Sequence, residues 1–79
     1  MSDIADRVKK VTAETLKVDL ARVADNSRFV EDLGANSMES VELVAAYEEE
    51  FDIDMDEKSA LAVKTVGDAV RFIAKIVDG

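Results

Sequence analysis

The chain contains no cysteine, histidine, tryptophan or proline among its 79 residues, and only three glycines. Without cysteine there is no disulfide, so core and helix contacts must stabilise the fold alone, and the same absence fits a reducing compartment. Without histidine no Ser-His-Asp triad can be assembled, and a serine hydroxyl is a weak nucleophile unless a base activates it. The lysines nearest to Ser37, Lys17 and Lys58, are far along the chain. Pro-rich linkers, low-complexity tracts and internal repeats are absent too, so residues 1–79 are expected to form a single domain. A domain of this size buries roughly 60% of the surface its unfolded chain exposes, enough for a modest core but not for a deep enzyme cleft. No apolar run approaches the roughly 18–20 residues of a membrane span, and the opening MSDIADRVKK lacks a signal-peptide core. A soluble, cytoplasmic monomer with no membrane insertion is expected. Bases are scarce: 10 against 18 acids, a net charge of −8. Such a chain repels nucleic-acid phosphates and favours basic protein surfaces, which it meets in fast, salt-sensitive encounters.

What is present is helix-forming. Hydrophobic residues make up 48% of the chain, so it is not compositionally disordered. Ile4, Val8, Val11 and Leu16 recur near helical spacing, and Asp3 is placed to cap that first helix. A long loop follows, "KVDLARVADNSRFVEDLGA", with Leu20, Val23 and Phe29 as apolar pins and Asn26-Ser27 as a turn signal. At "NSMES", Asn36 is a good N-cap and Glu39 stands at the capping-box position. Ser40, Leu43, Val44, Tyr47 and Phe51 then share one helix face, while Met38, Glu39, Val41, Glu42, Ala45, Glu48 and Glu49 lie mostly on the other. "DIDMDEKSALAV" reads as a loop and a short helical piece. A last helix is expected from about Thr65 to Val77, capped by Thr65 with Asp68 at the box position. Its buried stripe is Val66, Ala69, Val70, Ile73 and Val77. No alternating strand pattern appears. Three longer helices and a short one predict an all-α fold, a small four-helix bundle with a short third helix and a long first loop.

Two motifs fail on inspection. "GANSM" is not the G-x-S-x-G elbow of a serine hydrolase. "DIDMDE" opens like a calcium loop, but the required glycine and twelfth-position acid are Glu57 and Val63, so no metal site is expected. From Glu48 to Glu57 the chain carries seven acids and no base, which repel one another. Ser37, placed at the first turn of the second helix, is then a candidate to accept chemistry performed by another protein. Free N–H groups and the positive end of the helix dipole there can stabilise an attached phosphodiester.

The stretch "FVEDLGANSMESVELVAAYEEEFDIDM" closely resembles the acyl carrier proteins, whose pattern is a D-S-L-type tripeptide after an "EDLGA" loop, followed by "VELVxxxEEEF". "RVKKVTAETLKV" and "KTVGDAVRFI" extend the similarity across essentially the whole chain. The resemblance implies a non-enzymatic carrier with 4′-phosphopantetheine esterified to Ser37, which shuttles acyl groups as thioesters between enzymes. It implies a docking face for basic partner patches made of Asn36, Met38, Glu39, Val41 and Glu42, continued by Glu48 and Glu49. It also implies an apolar shelter for the acyl chain, for which Phe29, Leu43, Val44 and Tyr47 are candidates, together with Phe51, Val70 and Ile73. The implied partners are a phosphopantetheinyl transferase and the enzymes of fatty-acid or related lipid synthesis. A carrier of aminoacyl or polyketide units, or an unmodified helical interaction module, are the rival readings. The chain departs from the family pattern at Asn36 (usually aspartate), Met38 (leucine), Tyr47 (leucine), Thr12 (apolar) and Asp56 (proline).

Overall fold

The computed structural model describes residues 3–79, with side chains from residue 4 onward. It consists of α1 (Asp3–Leu16), α2 (Ser37–Phe51), α3 (Glu57–Leu61) and α4 (Val66–Asp78). No strand occurs among the described residues; a lone antiparallel bridge joins Arg28 to Thr65. The molecule is thus the expected all-α bundle with a short third helix and a long first loop. The helix α1 packs against both α2 and α4, and α3 packs against α2. Val8, Thr12, Val66 and Ile73 are wholly buried at the centre. Burying an aliphatic side chain such as Ile73 contributes about 1.5–3 kcal/mol.

Each helix start and stop has a local cause. The capping role expected of Asp3 falls on a side chain outside the described residues. The first two helices end alike: Lys17 (φ 58°) and Asp52 (φ 54°) take left-handed conformations. The next residues, Val18 and Ile53, donate their N–H groups back five residues to Ala13 and Glu48, each at 3.1 Å. That satisfies carbonyls a helix end leaves open and folds an apolar residue back onto the core. Asp56, in the place of a proline, accepts from the N–H (3.1 Å) and the hydroxyl (2.7 Å) of Ser59 and so caps α3. These hydrogen bonds hold its carboxyl below the usual aspartate range. Thr65 caps α4 by accepting from the Asp68 N–H at 3.2 Å. The capping box stays half-made, because the Asp68 carboxylate pairs with Arg71 one turn on.

The long loop is not a free connection. Phe29 donates to the Lys64 carbonyl (3.0 Å), and Val66 and Gly67 donate to the carbonyls of Ser27 (3.0 Å) and Asp25 (2.7 Å). The loop is thereby stitched to the start of α4. Ser27 is itself buried, its hydroxyl donating to the Arg22 carbonyl (3.1 Å) and accepting from the Ala24 N–H (3.0 Å). Val23 and Phe29 are buried pins, but Leu20 is not: it is 56% exposed on a single 3₁₀ turn, Leu20–Arg22. Of Leu20 and Val23, Val23 takes the core position. Val77 is likewise exposed rather than part of the stripe of α4. Ile73, one turn earlier, is the last residue of that helix to be fully buried.

The acidic segment is partly neutralised from within. Arg7 donates from Nε to the Glu50 carboxylate (2.7 Å) and from its terminal nitrogen to the Glu50 carbonyl (2.7 Å). Its guanidinium also lies 4.4 Å from the centroid of the Phe51 ring. One cation thus offsets a carboxylate, fills an open carbonyl at the negative end of α2 and covers an aromatic face. The Glu48 carboxylate accepts from the Met55 N–H at 2.8 Å. Glu49, Asp52, Asp54 and Glu57 remain exposed to solvent.

Candidate functional site

The start of α2 is built by a closed reciprocal cap. Asn36 Oδ1 accepts from the Glu39 N–H (2.8 Å), and Glu39 Oε1 accepts from the Asn36 N–H (3.1 Å). The "EDLGA" turn delivers the chain to this cap. Leu33 and Ala35 are buried in it, Ala35 donates to the Phe29 carbonyl at 2.8 Å, and Gly34 sits at φ 74°. Only glycine adopts that left-handed angle without steric cost. Arg28 and Asp32 clamp the outside of the turn, with Nε and Oδ2 3.2 Å apart. The Arg28 hydrogen bonds hold the Asp32 carboxyl below the usual range. Ser37 therefore projects from a rigid corner.

Two helix N-termini in the molecule differ. At α4, the first two N–H groups, from Val66 and Gly67, are already taken by loop carbonyls. At α2, the corresponding groups belong to Ser37 and Met38, and helix geometry leaves them open. The serines sort themselves similarly. Ser27 is buried and bonded, Ser59 is committed to Asp56, and Ser40 is half-buried beside a cavity. Ser37 is exposed, and its hydroxyl engages no protein partner among the described residues.

Beyond Ser37, the outer face of α2 presents Met38 (73% exposed) and Val41 (45% exposed), with Glu42, Ala45 and Glu49 also exposed. Glu39 and Glu48 are half-buried and already hold internal N–H groups.

The inner face of α2 borders a cavity of about 250 Å³. Phe29, Leu43, Val44, Tyr47, Ala60 and Ala69 are its buried walls, and the exposed Val30, Glu31, Leu61 and Lys64 form its rim. Three expected lining residues lie off it. Phe51 faces Arg7 instead, Ile73 is wholly buried within the core, and Val70 packs half-buried against that core. On α4 it is Ala69 and Phe72 that reach the cavity, so the lining runs along one edge of the stripe rather than its centre. The walls from Met55 to Val63 were not expected; the only sign of them was the apolar content of "SALAV".

Two departures from the acyl carrier pattern meet inside the protein. Tyr47, 4% exposed, has its hydroxyl 2.5 Å from Oγ1 of the wholly buried Thr12. Thr12 donates its own proton to the Val8 carbonyl at 2.7 Å, so Tyr47 is the donor in the pair. The tyrosine hydroxyl thus turns inward to a threonine rather than outward to solvent. Burial pushes the phenol from 10.0 up to about 12. The folded pKa is raised, so the stabilisation is whole below pH 10 and is lost as pH rises toward 12. The loss is about 1.4 kcal/mol per pH unit within that window. The chain has one tyrosine, so absorbance reads this group alone. Its ionisation is expected well above the free value and together with loss of helicity; a reversible titration at the free value, with helicity intact, contradicts the burial.

Residues 6–73 match the family described as a phosphopantetheine attachment site. The chain belongs to that family. Its cofactor is 4′-phosphopantetheine, held covalently. The site fits such a group: a carrier needs an exposed, uncommitted hydroxyl, and a phosphodiester is stabilised by open N–H groups at a helix start. Both requirements meet at the corner of α2. No helix among the described residues of the carrier is long and apolar enough to cross a membrane, and no cluster of metal-ligating side chains occurs among them.

Proposed function

We infer that this protein is an acyl carrier for fatty-acid or related lipid synthesis, a single domain working as a cytoplasmic monomer, with 4′-phosphopantetheine on Ser37. The observation that carries the reading is the placement of the one exposed, unpartnered serine hydroxyl among the described residues on the helix that also walls an apolar cavity. The arm supplies a thiol, in a chain that has none of its own, on which acyl groups ride as thioesters. The chain's residues do the rest. Ser37 and Met38 N–H groups face the phosphate charge, and Asn36 and Glu39 hold the corner in place. The cavity shelters the cargo from water. An apolar cavity suits an aliphatic chain better than an aminoacyl group, and so favours this cargo over the aminoacyl alternative.

Docking falls to the outer face of α2. Met38 and Val41 act as apolar anchors, and Glu42 and Glu49 steer basic partner patches. Glu39 and Glu48 add negative charge while keeping their internal bonds. Partners are a phosphopantetheinyl transferase and acyl-handling enzymes; the protein itself catalyses nothing. Intact mass of the protein purified from its native cell tests this, since one phosphopantetheinyl group bearing an acyl thioester is expected. A persistently unmodified mass would leave an interaction module as the better reading.

Asn36 bears on which enzyme installs the arm. Asparagine and aspartate cap helices about equally well, so Asn36→Asp is expected to leave the melting temperature nearly unchanged. It adds a charge beside Ser37, and hydrogen bonds between ionised partners are stronger. The aspartate variant is therefore expected to be the faster substrate for a small housekeeping-type holo-carrier synthase, mainly through tighter binding. Steady-state kinetics decide the matter: equal kcat/KM at low and physiological salt means that the missing charge has no bearing.

A further inference from the structure

The cavity beside α2 has a wall that is braced from behind. Four residues of α2 line it, Ser40, Leu43, Val44 and Tyr47, and Tyr47 is the one farthest from Ser37. From Ser40 to Tyr47 the helix rises about 10 Å. The cavity volume is about 250 Å³. A dry cavity of about 150 Å³ takes a six-carbon benzene ring, so the space here suits roughly ten carbons.

An aliphatic side chain at position 47 could change rotamer to lengthen the cavity. Tyr47 is constrained differently. Its hydroxyl donates to Thr12 Oγ1 at 2.5 Å, and Thr12 is wholly buried with its own proton held by the Val8 carbonyl. If the ring swings aside, a buried O–H loses its acceptor, and an unmade buried hydrogen bond is more costly than an absent one. Thr12 does not touch the cavity; it acts through Tyr47.

We propose that Tyr47, positioned by Thr12, sets the cargo class of this carrier by limiting the sheltered acyl chain to about ten carbons. The proposal rests on the carrier reading above. Tyr47 is the specificity-determining residue, because it lines the space the chain would fill. Thr12 is a positioning residue. Longer chains are left partly in water and reach a partner enzyme less protected.

The test uses the full chain loaded on Ser37 with saturated thioesters of four to sixteen carbons. The melting temperature of each form is read. For the wild type it is expected to rise with chain length up to about ten carbons and then level off or fall. Tyr47→Leu is expected to move that break to longer chains. Tyr47→Phe keeps the ring and drops the bond to Thr12; it is expected to blur the break while the shorter chains behave as before. In the ten-carbon form, a nuclear Overhauser effect is expected between the terminal methyl of the chain and the Tyr47 ring, a reading that does not depend on any variant folding. A wild-type melting temperature that climbs steadily to sixteen carbons overturns the proposal, as does a break at the same length in Tyr47→Leu or a terminal methyl that contacts other residues only. Intact mass separates this failure from a deeper one. A chain that takes no phosphopantetheinyl group on Ser37 overturns the carrier reading and this proposal with it, whereas a loaded chain without a break overturns the proposal alone.

Discussion

Ser37→Ala is expected to lose cofactor loading completely while melting within about 0.5 kcal/mol of wild type, the usual range for an exposed position. The fold should not notice the change. The cap of α2 is made by Asn36 and Glu39, not by Ser37, and the serine hydroxyl bonds to nothing in the protein among the described residues. Alanine is also the best helix former, so the first turn is not weakened. Chemistry is another matter. Esterification needs an oxygen that a transferase can reach, and the other serines among the described residues are spoken for. Ser27 is buried, Ser59 is held by Asp56, and Ser40 sits half-buried against the cavity. Incubating both proteins with coenzyme A and a promiscuous transferase, then weighing them, tests the assignment. The wild type should gain one phosphopantetheinyl group and the variant none. Loading of the variant at any other residue would falsify the role given to Ser37, and a collapsed melting curve would show that Ser37 supports the fold.

Gly67→Ala is expected to destabilise the protein by about 1–3 kcal/mol, the cost of overpacking a tight contact. The sign is the informative part, since replacing a helical glycine by alanine ordinarily gains about 1 kcal/mol. Gly67 lies in the first turn of α4 and donates its N–H to the Asp25 carbonyl at 2.7 Å. A β-carbon there would stand 2.9 Å from the same carbonyl oxygen. The neighbour is backbone, not a flexible side-chain tip, so it cannot simply turn away. It is also restrained, because Asp25 pairs with Lys9 of α1 at 3.1 Å. Relief requires the loop to lift off α4, which weakens the Gly67 bond and strains the neighbouring Val66–Ser27 bond. For a domain of this size each kcal/mol shifts the melting temperature by about 4–8 °C. Thermal unfolding followed by circular dichroism should show a clear drop; a variant that melts higher than wild type shows that the loop yields without cost.

The helices were legible because each rests on local chemistry. The Asn36–Glu39 box, the Thr65 cap and the apolar spacing of Val8, Leu43 and Ile73 all act within about one turn, which a linear reading can see. The corner that presents Ser37 was legible for the same reason, since cap, glycine turn and serine lie together in "LGANSME". Leu20 and Val77 went astray because burial depends on what a neighbouring element covers, and hydrophobicity alone does not say which of two nearby apolar residues wins the core. The lining of the cavity split along that line. On α2, Leu43, Val44 and Tyr47 followed the helix face, whereas Phe51 at its end faces Arg7, and Val70 and Ile73 pack into the core away from the cavity.

Taken by itself, the sequence determined the class of fold, the acidic surface, the position of the candidate site at the start of α2 and the exclusion of histidine chemistry. These follow from composition and from interactions spanning three or four residues. Only the tertiary structure decided that the long loop is sewn to α4, that the acids of α2 are partly neutralised by Arg7, and that Thr12 and Tyr47 are one feature rather than two. Those two residues are 35 positions apart, on different helices. Each looked like an isolated polar intrusion into an apolar stripe. A buried hydroxyl is tolerated only when a partner meets it, and which partner meets it is a property of how α1 and α2 pack.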